Sequence, residues 1–144
     1  MKRVRWEVPV AAATILVGVC PAPAAPATPL SGVELTTLAQ ATVDGIDYTT
    51  KQITIAPGGS TGWHYHRGQV FGVIRQGTLT HNRADCSLDG SYPAGAPITE
   101  GSGPDNVHVG RNLGPDPVIM WAVYVNPAGD PLSTDTPNPG CPFE

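Results

Sequence analysis

The chain has 144 residues, of which only 14% are charged, while 17 glycines and 16 prolines make up nearly a quarter of it. This content excludes a helical bundle, because both residues destabilise helix interiors. A formal net charge of −4 provides no basic surface, so we expect no nucleic-acid partner. Apolar runs such as VIMWAVYV (residues 118–125) exclude full disorder and favour a turn-rich all-β domain.

The N-terminus has the pattern of a secretory signal peptide, which we assign to residues 1–27. A basic start precedes a short apolar stretch, Val8–Val19, and a tract of small residues, PAPAAPATP. The apolar stretch is too short to span a bilayer comfortably, so we expect a secreted protein with no stable membrane span after cleavage. Two alternatives stay open: an uncleaved anchor, and a lipoprotein modified at Cys20, for which Val19 is a poor match.

The remaining residues predict short strands separated by turns. Residues 28–45 are expected to form an N-terminal arm with a first strand at Val33–Leu38. Residues 46–127 are the main domain, and residues 128–144 are a proline-rich tail without periodicity. Within the main domain we predict a loop at 85–95 and strands at 46–59, 69–82 (kinked near Gly77), 96–100, 106–112 and 118–125. This order predicts one domain, a β-sandwich or a β-barrel.

Two cysteines, Cys86 and Cys141, remain once the signal peptide is removed. An even number of cysteines outside the cytoplasm predicts a disulfide, which would join a loop in the middle of the chain to the tail. Two unpaired buried thiols are the alternative.

Three histidines carry the clearest chemical signal. His64 and His66 lie two residues apart in the segment GGSTGWHYHRGQVFGVIRQG, residues 58–77. On a strand this spacing puts both imidazoles on one face, where a metal ion would hold both in the neutral form. His108 lies in another predicted strand, and we expect it to meet the other two inside the domain.

Other polar residues near these histidines carry weaker signals. His81 lies at the entrance of a predicted hairpin, and we interpret it as a surface residue. Glu100 and Asp105 are the carboxylates nearest in sequence to His108, but carboxylates in glycine-rich loops are usually solvated. We interpret Asn112 as a structural group at a turn or strand end.

The histidine segment resembles the cupins, small β-barrels whose first motif is G-x5-H-x-H-x3,4-E-x6-G. Gly58, His64, His66 and Gly77 match its spacing. Val70 stands where the motif has a metal-binding Glu, and a valine side chain cannot bind a metal ion.

The second cupin motif, G-x5-P-x-G-x2-H-x3-N, is met in part. His108 and Asn112 have the required separation, but Pro104 is one place off and Asp105 replaces a glycine. The resemblance covers residues 46–125. It implies an all-β fold with a single cupin-type β-barrel, or jelly-roll, and a homodimer, since cupin barrels often pair.

Two functions follow from the resemblance. In the first, His64, His66 and His108 hold a divalent transition metal ion (Fe, Zn, Mn, Ni or Cu) without a carboxylate. The ion would keep its full charge, which favours an anionic substrate that binds it directly, or O2 beside the substrate. Such a site resembles those of some cupin dioxygenases, which implies a dioxygenase-like oxidoreductase acting on a small anionic or enol-type substrate. With zinc, the same histidines could instead activate a bound water for hydrolysis. In the second, the protein is a non-catalytic small-ligand-binding or sensory cupin outside the cytoplasm, without metal.

A small-molecule ligand would need an apolar wall in either case. We expect Val70, Phe71 and Trp121 to contribute to this wall, because the mouths of β-barrels are common ligand sites.

Overall fold

The computed structural model describes residues 24–144. The predicted signal peptide, residues 1–27, lies almost entirely outside the described residues, and so does Cys20. Across residues 24–144, no helix is both long and apolar enough to cross a membrane.

The described part of the chain is built from β-strands that pair in antiparallel fashion, with one short 3-10 helix, Pro104–Asn106. The strands are β1 (Ser31–Val43), β2 (Ile46–Ser60), β3 (His64–Tyr65), β4 (Gln69–Gln76), β5 (Thr78–Arg83), β6 (Leu88–Pro93), β7 (Pro97–Glu100), β8 (His108–Arg111), β9 (Val118–Pro127) and β10 (Thr134–Asp135). The prediction of an all-β fold is confirmed.

The strands form two sheets that join into a nearly closed barrel. The longer strands make a sheet in the order β1-β2-β9-β4-β7, in which β2 pairs with β9 along Ile46–Ile55. The shorter strands make a sheet in the order β10-β3-β8-β5-β6. At the end of β2, Ser60 pairs with Arg111 of β8, and this pair connects the two sheets.

The alternation of side chains along the long strands fills the barrel with apolar groups. In β9 the buried residues Met120, Ala122 and Tyr124 alternate with residues on the outer face. The buried members of this core are Ile53, Ile55, Val70, Ile74, Leu79, Ile98, Val118, Met120, Ala122 and Tyr124.

A smaller core lies beneath the short strands and holds the C-terminal tail. Trp63 and Val109 are fully buried there, and the ring of Phe143 stacks on Trp63 at a centroid distance of 6.0 Å. The predicted disulfide between Cys86 and Cys141 is present and joins the tail to the turn before β6. The tail therefore belongs to the folded domain.

Two segments differ from the predicted secondary structure. Residues 85–95 are predicted as a loop, but Leu88–Pro93 forms β6 by pairing with β5. Leu88 is exposed, so this edge strand has no apolar alternation, and its backbone pairing leaves no mark in the sequence. The tail also contributes a strand, β10, which pairs with β3.

Candidate metal centre

Two short strands bring three histidines together inside the barrel. His64 of β3 lies opposite His108, the first residue of β8, and His66 follows β3 directly. The ring centroids are 4.5 Å apart for His64 and His108, 4.8 Å for His64 and His66, and 5.1 Å for His66 and His108. All three side chains are buried.

A backbone carbonyl fixes the orientation of each imidazole. Nδ1 lies 2.9 Å from the Gly62 oxygen in His64, 2.7 Å from the Leu132 oxygen in His66, and 2.8 Å from the Asn106 oxygen in His108. A carbonyl oxygen can only accept, so in each ring Nδ1 carries the hydrogen and Nε2 is available as a donor of its lone pair. Metal-binding histidines are held in the same way.

The Nε2 atoms point into the space between the rings. Those of His66 and His108 are buried and have no aligned hydrogen-bond partner among residues 24–144. A buried polar atom without a partner is costly, and a cation at the meeting point would satisfy several such atoms at once. One donor atom from each of the three histidines lies within 4.8 Å of the other two.

A carboxylate, Glu100, lies beside two of these histidines, His66 and His108, and was not expected from the sequence. In the pairing of β4 with β7, Glu100 lies directly opposite Val70, the residue at the position of the motif's Glu. Its Oε2 is 2.9 Å from Nε2 of His66 and 3.6 Å from Nε2 of His108. The expectation that Glu100 is a solvated loop residue is wrong, because it ends a strand and points inward. The expected lack of a carboxylate at the site is also wrong.

Burial and neighbouring charges set the ionisation of this centre, by which we mean His64, His66, His108 and Glu100. Burial raises the pKa of Glu100, but the contact with His66 and the electrostatic effect of the neighbouring His108 outweigh burial and lower it to about 2. Burial lowers the pKa of His108 to about 3, and it also lowers the pKa of His64. At neutral pH His64 and His108 are therefore neutral imidazoles close to an ionised carboxylate.

The fourth histidine, His81, was interpreted as a surface residue, and this is wrong. It is only 5% exposed, and its ring centroid lies 4.7 Å from that of His108. Leu79, two residues earlier in β5, is also buried. Because every second residue of a strand faces the same side, the apolar Leu79 predicts that His81 faces the interior as well.

An apolar cavity of about 160 Å³, here called the chamber, lies on one side of the centre. Its lining consists of Leu30, Val33, Leu35, Ile53, Ile55, Thr61, His64, His66, Leu79, Glu100, Gly110, Met120, Tyr124, Ser133 and Asp135. Leu30 and Leu35 are about half exposed, and they mark the opening of the chamber towards solvent.

The residues expected to form the ligand wall lie elsewhere. Phe71 and Trp121 are 47% and 41% exposed on the outer face of the long-strand sheet. Val70 points inward but packs in the apolar core. Consecutive residues of a strand face opposite sides, so Val70 and Phe71 cannot both line one cavity.

Asn112 has the structural role that the sequence analysis assigned to it. Its side-chain amide donates hydrogen bonds to the carbonyl oxygens of Ile55 and Asp116, and its Oδ1 accepts one from the Gly114 amide. These bonds hold the end of β8 against β2 and fix the turn that follows.

The residues of the centre fit a divalent transition metal ion. Three imidazole nitrogens and one carboxylate oxygen are ligands that Fe, Zn, Mn, Ni and Cu accept. The distance of 2.9 Å between Nε2 of His66 and Oε2 of Glu100 also suits two adjacent ligands of one ion, which lie about 3 Å apart when each bond is about 2.1 Å.

Comparisons with known proteins identify the fold. No family model and no curated protein matches the chain. Among solved structures, an uncharacterised double-stranded β-helix protein from Klebsiella pneumoniae is 18% identical with a TM-score of 0.59, over 72% of this chain and 84% of that one. A cupin domain from Bordetella pertussis is 20% identical with a TM-score of 0.56, over 67% and 95%.

Oxalate oxidase in complex with glycolate is also similar in structure. It is 21% identical with a TM-score of 0.58, and the match covers 72% of this chain and 55% of that one. These likenesses show that the chain has the cupin fold, which confirms the cupin-type barrel expected from the sequence.

Proposed function

We propose that this protein is an exported metal-dependent enzyme that holds one divalent transition metal ion through His64, His66, His108 and Glu100. The observation that carries the proposal is a cluster of three imidazoles, each fixed through Nδ1 and each offering one donor atom within 4.8 Å of the others, with the Glu100 carboxylate beside His66 and His108. When bound, such an ion supplies a Lewis acid and, if it is redox-active, a relay for electrons.

The carboxylate removes the main reason for a metal-free binding protein. That alternative drew its support from Val70, which leaves the motif without its Glu. Glu100 reaches the same region from the neighbouring strand, so the donor set has the composition expected of a metal site, three nitrogens and one oxygen.

The chamber favours the enol-type substrate over the anionic one. No lysine or arginine contributes to its lining in the part of the chain that the structure describes, and Glu100 adds a negative charge. Its volume of about 160 Å³ is close to the ~150 Å³ of an engineered apolar cavity that binds benzene. We therefore propose a neutral enol of about the size of one six-membered ring as the substrate.

Side chains of the chamber can orient such a substrate. The ring of Tyr124 lies 5.5 Å from that of His66, and burial raises the pKa of its phenol. Tyr124 therefore stays protonated and can donate a hydrogen bond to a ligand oxygen. Met120, Ile53 and Leu79 would pack against the apolar part of the ligand and exclude water.

Export is supported by the disulfide as well as by the N-terminal pattern. Disulfides persist in oxidising compartments and are rare in the cytoplasm, and Cys86 and Cys141 are joined.

Metal analysis tests the first part of the proposal. We expect one equivalent of a transition metal in the purified mature protein and its loss in a His66→Ala variant. Arg75→Ala is a suitable control, because Arg75 lies over the outer face of Trp121, away from the centre. Trace metal in the wild-type protein, or unchanged metal in His66→Ala, would overturn the proposal.

Oxygen consumption tests the reaction. The protein is loaded with each candidate metal in turn and supplied with a neutral cyclic 1,3-diketone, which enolises, or with oxalate or glycolate as anionic probes. We expect uptake of O2 with the enol alone, with both oxygen atoms in the product and no external reductant. A protein that binds one metal ion but turns over none of these compounds would favour the binding or sensory function.

A further inference from the structure

A second set of donor atoms, on the side of Glu100 that faces His81, shares Glu100 and His108 with the centre. Nε2 of His81 is 3.6 Å from Oε1 of Glu100, whereas the other oxygen, Oε2, faces His66 and His108. His81, Glu100 and His108 offer three ligand atoms that lie within 4.8 Å of one another. The centre described above does not use His81.

The surroundings of His81 hold it as a ligand. Its Nδ1 lies 3.1 Å from Oδ2 of Asp89 and donates to this carboxylate, which also accepts a hydrogen bond of 3.0 Å from the Tyr92 hydroxyl. Arg83 pairs with the other oxygen of Asp89. Since Nδ1 carries the ring hydrogen, Nε2 of His81 has a free lone pair. This Nε2 is buried and has no hydrogen-bond partner among the described residues. A carboxylate behind an imidazole is a common support for metal-binding histidines.

This side of Glu100 opens into a polar cavity of about 450 Å³, here called the cleft. Asp85, Asp89 and Asp105 line it together with Glu100, and Arg83 is the basic residue in its described lining. Acidic groups in a concave site raise the local concentration of cations. The cleft thus attracts metal ions, whereas the chamber on the other side is largely apolar.

We propose that His81, His108 and Glu100 form an outer cation position, from which a divalent metal ion moves to the inner position at His64, His66, His108 and Glu100. This inference rests on the proposed function, which supplies the inner position. His108 is common to both positions, and its one available Nε2 binds one ion. The chain therefore holds one ion at a time, and His108 keeps hold of it while His81 is exchanged for His64 and His66.

Cobalt(II) alone is a suitable probe, because its visible absorption changes with its ligands. We expect the wild-type protein and His64→Gln each to bind one equivalent, with different spectra and weaker binding in the variant. The double variant His64→Gln/His81→Gln should lose this residual binding. Loss of a residue that only supports a metal ligand weakens metal affinity by about 10–100-fold. His81 is itself a ligand of the outer position, so its loss should cost more. We therefore expect the dissociation constant of the double variant to exceed that of His64→Gln by at least about 100-fold.

Loading kinetics give a second readout. In stopped-flow mixing with cobalt(II), His81→Gln should bind the ion several-fold more slowly than the wild-type protein, while its dissociation constant at equilibrium stays nearly the same. Asp105→Asn is the matched control, because it removes one charge from the cleft without removing a ligand. The control should load faster than His81→Gln.

The outcomes separate this inference from the proposed function. Equal cobalt binding by His64→Gln and the double variant, or loading of His81→Gln at the wild-type rate, overturns the outer position alone. Failure of the wild-type protein to bind cobalt overturns both. If His64→Gln does not unfold cooperatively in a thermal scan, the same comparison is made with His66→Gln, whose residual binding must also depend on His81.

Discussion

The two sheets of this barrel are stabilised in different ways. The long-strand sheet has an uninterrupted ladder of backbone pairs between β2 and β9, and its inner face carries most of the apolar core. The short-strand sheet contains β3 and β10, of two residues each, and a β3–β8 ladder with one pair of residues, His64 and His108. Its shape depends on the disulfide, on Trp63 and Phe143, and on hydrogen bonds between side chains and the backbone.

The comparison shows how the barrel separates stability from chemistry. The histidines belong to the short-strand sheet, which has few backbone pairs. Contacts with turns and with the tail orient each of their side chains separately. Glu100 belongs to the long-strand sheet and reaches across the barrel to them. Apart from Glu100, changes in the long-strand sheet should therefore affect stability alone, whereas changes in the short-strand sheet should affect stability and metal binding together.

Among the substitutions, removal of the disulfide should have the largest effect. In the Cys86→Ser/Cys141→Ser variant, loss of a cross-link between residues 55 apart should lower the free energy of unfolding by roughly 4 kcal/mol. The tail, which carries the Leu132 carbonyl that orients His66, would also lose its anchor, so we expect weaker metal binding. Urea denaturation and metal titration measure the two effects. Unchanged metal affinity would show that β10 holds the tail without the disulfide.

A cavity in the long-strand sheet should affect stability alone. Ile74 is fully buried in the apolar core, so Ile74→Ala should lower the free energy of unfolding by about 3 kcal/mol. Because the variant leaves the histidines and the tail intact, its metal dissociation constant under native conditions should equal that of the wild-type protein. A parallel loss of metal affinity would contradict the separation between the sheets.

Acid should destabilise the metal-free protein through the short-strand sheet. The pKa of His108 is about 3 in the folded state, against an ordinary value of 6.5, so below pH 6.5 the unfolded chain binds a proton that the folded chain does not. Stability should then fall as the pH falls from 6.5 towards 3, by up to about 1.4 kcal/mol per pH unit.

Glu100 acts in the same direction at lower pH. Its pKa is about 2 in the folded state, so the stability that it contributes is present above 4.5 and is lost as the pH falls towards 2. Denaturation at a series of pH values measures both effects, with Ile74→Ala as a control that should keep the wild-type slope. If the free energy of unfolding falls equally steeply between pH 6.5 and 4.5 in His108→Gln and in the wild-type protein, His108 is not the source of this effect.

Substitution of Trp121 should have the smallest effect. Its ring lies on the outer face, with the Arg75 guanidinium 4.5 Å from the ring centroid and its Nε1 donating to Gln52. We expect Trp121→Ala to cost less than about 1 kcal/mol and to leave metal and ligand binding unchanged. A change in ligand affinity, measured by calorimetry, would place Trp121 back in the ligand wall.

Local patterns in the sequence predicted most of the fold and three of the four residues of the candidate metal centre. Strand periodicity located β2, β4, β5 and β9, and the His-x-His spacing with His108 predicted the histidine cluster. Strands without an apolar face, β6 and β10, were missed, because their place depends on backbone pairing with distant segments.

Glu100 was missed for a related reason. Its proximity to the histidines follows from the register of β7 against β4, which is a contact between distant segments. A partial signal was available, because Ile98 is buried and the two-residue period then points Glu100 to the same side. The same rule would have placed His81 inside and Phe71 outside.

The attachment of the tail also affects the order of events during biosynthesis. Leu132, whose carbonyl orients His66, and Cys141 both follow the four histidines in the chain, so they are synthesised after them. A nascent chain that still lacks these residues has neither the acceptor for that imidazole nor the cross-link that secures it. The candidate metal centre should therefore be complete only after Cys141 has been synthesised and oxidised, and a product truncated before Leu132 should be unable to form it.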